Sequence, residues 1–149
     1  MRAAITDVTV NGKSIAGKYD REQAEKITID YDVFDEVGEY TVTVIAAGYN
    51  DATLKLEIKP YLTISGAVSV PKEYTVAQLE KMPQKQEVYS CINTWPTKKW
   101  YVGKGVALSY LLGREQADIK SDATLIKFTA SDGYYMTLTV QELLKDSRY

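Results

Sequence analysis

The chain of 149 residues contains no histidine. Histidine is the commonest general base near neutral pH and the commonest metal ligand. Its absence excludes serine–histidine and cysteine–histidine catalysis within the chain, and zinc sites that mix cysteine with histidine. The chain also has a single cysteine, Cys91, so an internal disulfide is excluded.

A basic excess and a long apolar run are also missing. The formal net charge is -2 and the isoelectric point is near 5.2. The chain has no excess of basic residues that would neutralise a phosphate backbone, so we expect no nucleic-acid partner. No apolar run approaches the ~20 residues of a membrane span, so none is expected. The N-terminus lacks the apolar core of a signal peptide and soon enters a strand pattern, as a fragment of a longer protein would.

Residues 5–59 have the residue pattern of an all-β segment. Tyr40, Val42 and Val44 alternate with threonines, and a second alternating run covers residues 52–59. A period of two places alternate side chains on opposite faces of a sheet. Asn11-Gly12 is a strong short hairpin signal. These patterns predict a small β-sandwich over residues 1–60.

Four carboxylates are close together in this segment: Asp30, Asp32, Asp35 and Glu36. Such a group could bind calcium. Its spacing fits no calcium-binding loop, so we favour a solvated strand face and loop.

The last two strands of the segment resemble those of the small immunoglobulin-like repeats of Gram-positive cell-surface proteins. The matching residues are Gly38-Glu39-Tyr40-Thr41-Val42-Thr43-Val44, then Ala47-Gly48-Tyr49 and Ala52. The resemblance implies a spacer or binding module of an exported protein. We therefore expect an extracytoplasmic location, at the cell surface or secreted.

The second half has mixed strand and helix patterns. Proline cannot donate a ladder hydrogen bond, so Lys59-Pro60 is the expected junction between modules. Thr75 with Gln78, and Thr139 with Glu142, are capping-box pairs that predict helix starts. The run "GVALSYLLG" predicts a further helix, and "ATLIKFTASDGYYMTLTV" predicts a hairpin. The expected fold class is α+β overall, with a mixed module over residues 61–149.

Residues 62–149 resemble the first part of the sulfite oxidase-type molybdopterin-binding oxidoreductase domain. The motifs, in family order, are "LTISGAVSVPKEYTVAQLEKMP", "VYSCINTW", "GVALSYLL" and "IKFTASDGYYMTLTVQELL". The resemblance implies a mixed α+β fold in which a strand delivers a cysteine to molybdenum. Because the family's domain continues beyond the last motif, we expect an incomplete module here.

This resemblance makes Cys91 the expected molybdenum ligand. Soft thiolate sulfur suits such a metal, and Lys98 and Lys99 would favour the thiolate. Asn93, Trp95, Lys98 and Lys99 are the other expected cofactor-binding residues. Three simpler interpretations stay open: a small hydrophobic filler at Cys91, a packing role for Trp95 and Trp100, and a solvated lysine pair. No catalytic residue is assigned.

Two functional hypotheses follow from the resemblances. The first is a fragment of an exported or cell-surface bacterial protein whose parent is a molybdenum oxidoreductase acting on a small oxyanion or sulfoxide. In that case we expect no activity and no bound cofactor in this chain alone. The alternative is a non-catalytic surface recognition or spacer protein that reuses the fold. Whether the parent is an enzyme stays open, as does the identity of a protein or small-molecule ligand. An exposed sheet edge predicts a tendency to form homodimers.

Overall fold

A computed structural model of the chain describes residues 5–21, 26–92 and 97–145. The chain divides into two compact units. Unit 1 comprises Met1–Thr63 and Glu73–Pro83, and unit 2 comprises Ile64–Lys72 and Gln84–Tyr149. Two separate segments of the chain therefore form unit 1, and the second of them contains a short helix.

The first half of the chain consists of short strands. Their bounds are β1 (Ile5–Val10), β2 (Lys13–Ser14), β3 (Tyr19–Asp20), β4 (Thr28–Ile29), a 3-10 turn (Tyr31–Val33), β5 (Gly38–Ala46) and β6 (Ala52–Ile58). The next elements are β7 (Leu62–Ile64), β8 (Lys72–Tyr74) and helix α1 (Val76–Lys81).

The main sheet of unit 1 is antiparallel, with strand order β2-β1-β5-β6. Asn11 and Gly12, with φ angles of 49° and 77°, form the tight turn between β1 and β2, which confirms the predicted hairpin. The sheet buries Val8, Val10 and Val42. The partly buried side chains packed against these valines are Ile5, Ile15, Tyr19, Ile27, Ile29, Val33, Phe34, Tyr40, Val44 and Leu56.

The segment that returns to unit 1 is anchored by buried side chains. Tyr74, Thr75 and Ala77 are all less than 7% exposed. The predicted capping box at the start of α1 is confirmed: Thr75 Oγ1 accepts a hydrogen bond from Gln78 N, and Gln78 Oε1 accepts one from Thr75 N. Two backbone donors at the helix start are therefore satisfied.

Unit 2 contains two hairpins and a small core. Its elements are β9 (Gln84–Ile92), β10 (Lys98–Val106), helix α2 (Leu108–Leu111), β11 (Leu125–Thr129), β12 (Tyr135–Thr139) and a π-helical turn (Gln141–Lys145). Strand β9 pairs with β10, and β11 pairs with β12, both antiparallel. Val68, Leu112 and Ala117 form the buried core, joined by Ile64, Leu108, Ile119, Ile126 and Leu144.

The predicted α+β fold class is wrong. Among the residues that the structure describes, 48% are in strands and 14% in helices; the strands form several small sheets, and these residues show no clear sulfite oxidase-type module. The helices are too short to form a layer: α1 has six residues and α2 has four. The run "GVALSYLLG" starts inside β10, which ends at Val106, so only Leu108–Leu111 is helical.

Candidate functional site

The residues expected to bind a cofactor fall on the β9–β10 hairpin. Cys91 lies near the end of β9 and is exposed, so it is not a filler of the core. Lys99 lies directly opposite Cys91, and Lys98 lies opposite Ile92. Asn93 and Trp95 lie outside the described residues. The structure thus brings Cys91 and Lys99 together on one face of the hairpin, because directly opposed residues of an antiparallel pair share a face.

The alternation along β10 separates its side chains into two sets. Lys98, Trp100, Val102 and Lys104 lie on one face, whereas Lys99, Tyr101 and Gly103 lie on the other. On β9, Val88 belongs to the first face, opposite Val102, and Tyr89 belongs to the second, opposite Tyr101.

Both faces of the hairpin expose large apolar groups. Val88, Tyr89, Trp100, Tyr101 and Val102 are 52% to 66% exposed. Isolated exposed apolar side chains are normal in proteins, but contiguous ones mark interaction surfaces. We refer to β9 and β10, with these exposed side chains, as the aromatic ribbon.

Two contacts order side chains on the ribbon. The Lys98 ammonium lies 4.5 Å from the centroid of the Trp100 ring, within cation–π range. On the other face the Tyr89 ring covers Gly103, since a Cβ placed there would lie 3.0 Å from Tyr89 Cε2. The first contact keeps a cation beside an exposed indole, a combination that suits recognition of a ligand with both apolar and anionic groups.

The charges of the ribbon are unequal on its two strands. On β9, Lys85 forms an ion pair and hydrogen bond with Glu87, and this hydrogen bond is the main reason that the pKa of Lys85 is raised. On β10, Lys98, Lys99 and Lys104 are accompanied by no acidic residue. The positive charge of the ribbon is therefore concentrated on β10.

In unit 1, a tyrosine is held at the surface by a hydrogen bond. Tyr31 begins the 3-10 turn, and its hydroxyl donates to the Glu80 carboxylate on α1. This hydrogen bond is the largest cause of a raised pKa at Tyr31, followed by burial of the phenol. The ring nevertheless remains 56% exposed. A fixed and exposed tyrosine is a typical anchor in protein interfaces.

Two of the acidic residues near Tyr31 in the sequence, Asp32 and Asp35, form ion pairs with lysines. The Lys18 ammonium contacts Asp32 Oδ2 at 2.5 Å, and Lys81 Nζ lies 3.5 Å from Asp35 Oδ2. Among the residues that the structure describes, no group of three potential metal ligands is present. Asp32 and Asp35 thus belong to surface ion pairs.

Unit 2 also has an open concave surface lined by both charge signs. Arg114 and Lys120 line it together with Asp118 and Asp122. Asp118 has a φ of 53°, and its backbone carbonyl accepts a hydrogen bond from Ser69 N. Backbone bonds of this kind shape the loop, so we attribute the concave surface to the local fold.

In the described part of the chain, no helix has the length and apolar character needed to cross a membrane.

Comparison with known proteins finds a family match for residues 1–59, in a class of domains known from bacterial surface proteins. Domains of this class occur in Gram-positive cell-surface proteins, which supports the expectation of a location outside the cytoplasm. The match covers residues 1–59, and the family is described as "Heme-binding protein Shr-like, Hb-interacting domain". No curated protein and no solved structure matches the chain.

This match corrects both family assignments made from the sequence. Residues 1–59 match the Shr-like family rather than the expected immunoglobulin-like repeats, and no sulfite oxidase or molybdopterin family matches the second half. The molybdopterin motifs were short combinations of glycine, leucine and capping residues. Such combinations follow from turn and helix-start chemistry and recur in unrelated folds.

The prediction of a molybdenum cofactor is also wrong, because it depended on the family assignment. No finding supports molybdenum or molybdopterin in the parent protein, and the matching family is described by heme and Hb instead. The oxidoreductase interpretation is therefore wrong in its cofactor and its family. The match favours the alternative, a cell-surface recognition protein.

Proposed function

We propose that unit 1 is a hemoglobin-recognition module of a Gram-positive cell-surface protein. The match of residues 1–59 to an Hb-interacting domain is the observation that carries this proposal. In this proposal the chain acts by binding a protein partner, and the parent protein is exported, either retained at the surface or secreted.

The surface around Tyr31 is the first candidate for the contact. Tyr31 combines an exposed ring with a hydroxyl already held by Glu80, so little side-chain freedom is lost on binding. Tyr49, in the turn between β5 and β6, is 65% exposed and is the second candidate. Both lie within the matched residues.

The functional module extends beyond the matched segment. Unit 1 includes Glu73–Pro83, whose helix α1 provides the Glu80 carboxylate that holds Tyr31. In addition, Thr75 Oγ1 donates to the Asp35 carbonyl at 3.0 Å. A protein truncated at residue 59 would lose both contacts, so we expect it to bind hemoglobin more weakly than the full chain.

Binding to immobilised hemoglobin by the full chain tests the proposal. We expect binding that is saturable, and we expect Tyr31→Ala or Tyr49→Ala to weaken it by at least about tenfold, the effect of a hot-spot residue. The matched control is Tyr134→Ala, since Tyr134 is a 72% exposed tyrosine in unit 2. Unchanged circular dichroism would establish that each variant is folded.

The absence of hemoglobin binding by the intact folded chain would refute the proposal. Equal losses for Tyr134→Ala and Tyr31→Ala would reject the proposed contact surface. Serum albumin serves as the protein control, because binding of equal strength to albumin would indicate a non-specific surface.

Two predictions from the sequence remain untested alongside this proposal. The first is the module boundary at residue 60, for which limited proteolysis followed by mass spectrometry is the direct test. The second is a homodimer formed through an open sheet edge, for which light scattering at increasing concentration is the test.

A further inference from the structure

We propose that the exposed edge of β10 binds an acidic, extended polypeptide segment, which adds to the aromatic ribbon as a third strand. This inference concerns unit 2, outside the residues that match the Hb-interacting family. It is independent of hemoglobin recognition by unit 1.

The first argument is the open edge. The sheet formed by β9 and β10 has two strands, and within the described residues no third strand pairs with either. Strand β10 is nine residues long, so its outer side offers a row of backbone donors and acceptors. An extended peptide can pair with such a row by strand addition.

The second argument is the distribution of charge. Unit 1 contains 13 acidic and 8 basic residues, which gives -5, whereas unit 2 contains 7 acidic and 10 basic residues, which gives +3. Within unit 2, β10 contributes three lysines and no acidic residue. The ion pair of Lys85 with Glu87 compensates the charge on β9. The β10 edge therefore attracts an anionic segment more strongly than the β9 edge does.

The third argument gives the residue pattern of the partner. Lys98, Trp100, Val102 and Lys104 occupy alternate positions on one face of β10. A strand paired in register would place its own alternate side chains beside these four. The complementary pattern is acidic-x-apolar-x-apolar-x-acidic, with a further acidic residue beside Lys99 on the other face. Apolar side chains of the partner would cover Trp100 and Val102, which are exposed in the unbound chain.

Lysines on an exposed edge have a second physical consequence. Like charges would oppose pairing of β10 with β10 of a second copy, a common protection against edge-to-edge aggregation. Protection alone predicts no affinity for any strand. Recognition predicts affinity for an acidic strand only, so the two explanations differ in a measurable way.

The test uses the full chain and a capped seven-residue peptide, Glu-Thr-Val-Thr-Val-Glu-Glu, titrated in nuclear magnetic resonance experiments. We expect the largest shifts at amides of β10, with binding weakened by added salt. A peptide with lysine in place of each glutamate, and one with alternate backbone nitrogens methylated, are the matched controls. We expect both to bind at least about tenfold more weakly, because they lose charge complementarity and ladder hydrogen bonds respectively.

Substitutions in the protein provide a second test of the proposed strand addition. We expect Lys99→Glu and Trp100→Ala each to weaken binding about tenfold. The matched control is Lys127→Glu on β11, because Lys127 lies over the Tyr135 ring at 4.3 Å, as Lys98 lies over Trp100. No shifts with the acidic peptide, equal affinity for the lysine or methylated peptides, or an equal loss in Lys127→Glu would each overturn the proposal.

Discussion

Replacement of Thr75 by alanine should destabilise unit 1, although Thr75 lies outside the segment that matches a known family. Thr75 makes three hydrogen bonds, two through its hydroxyl and one through its backbone amide, at a position that is only 4% exposed. Its hydroxyl accepts from Gln78 N at 3.2 Å and donates to the Asp35 carbonyl at 3.0 Å. The Thr75 amide donates to Gln78 Oε1 at 3.0 Å, which completes the capping box.

The expected magnitude follows from the two hydroxyl contacts. Loss of a threonine cap costs about 1 kcal/mol. A carbonyl left without its donor costs about a further 1 kcal/mol at this partly buried position. The total of about 2 kcal/mol corresponds to a roughly 30-fold increase in the population of the opened state, at about 1.4 kcal/mol for each factor of ten.

Hydrogen exchange followed by mass spectrometry measures this effect locally. The informative amides are Val33 and Phe34, which donate to Asp30 and Tyr31 in the 3-10 turn. We expect their exchange to accelerate by roughly 30-fold in Thr75→Ala, in proportion to the opened population. Thr75→Ser keeps the hydroxyl and should exchange within about threefold of wild type.

A second control separates a local effect from general destabilisation. Thr139 caps the π-helical turn in unit 2 through Glu142, with its hydroxyl 2.7 Å from Glu142 Oε2. Thr139→Ala should leave exchange in the 3-10 turn of unit 1 unchanged. If Thr75→Ala also leaves that exchange within twofold of wild type, then α1 does not stabilise the 3-10 turn and the reasoning fails.

Four further predictions concern single sites. Val8 lies on β1 of the main sheet and is fully buried, so Val8→Ala should lower the free energy of unfolding by about 2–3 kcal/mol in urea, and a loss below about 1 kcal/mol would contradict its place in the core. Gly12 has a φ of 77°, so Gly12→Ala should cost about 1 kcal/mol or more, and a stabilised variant would contradict the left-handed turn. Tyr31 has a pKa raised above 10.0 by its hydrogen bond to Glu80, so its stabilising contribution is present below pH 10 and is lost as pH rises through the raised pKa. Absorbance titration, with Tyr31→Phe as the reference, should place the Tyr31 pKa lower in Glu80→Gln, and an unchanged value would argue against the hydrogen bond. Cys91 is exposed, so a thiol reagent should label the folded chain at about the rate seen in urea, whereas tenfold protection would indicate burial.

Local signals in the sequence predicted local structure well. The turn at Asn11-Gly12, the capping boxes at Thr75 and Thr139, and the hairpin of β11 with β12 are all confirmed. Each depends on chemistry within a few residues, such as a left-handed turn or a side chain that reaches the next backbone amide. Such features need no knowledge of the rest of the chain.

Strand β10 was missed because its sequence has little β character. Its lysines and two glycines, Gly103 and Gly105, have low strand propensity. Pairing with β9 over nine residues overrides that local preference. The available signal was the alternation of Trp100 and Val102 with Tyr101, a period of two that indicates a strand.

The described residues that the sequence singled out as a cofactor site fall close together in the structure, but no finding tests their role. The sequence drew attention to Cys91, Lys98 and Lys99, and the structure places these residues on one hairpin. The molybdenum cofactor assigned to them is wrong, because it was inferred from a family resemblance and not from contacts of these side chains. The Tyr31–Glu80 contact joins residues 49 positions apart, and no pattern in the sequence indicates it.

The order in which unit 1 is assembled has a consequence for synthesis. The matched segment ends at residue 59, but the unit is completed only by Glu73–Pro83. At roughly 5–20 residues per second, the chain needs about 1–5 s more to supply α1. During that interval, the carbonyl of Asp35 and the phenol of Tyr31 lack the partners that they have in the finished unit. A nascent or truncated chain ending near residue 60 should therefore be more susceptible to proteases than the complete protein.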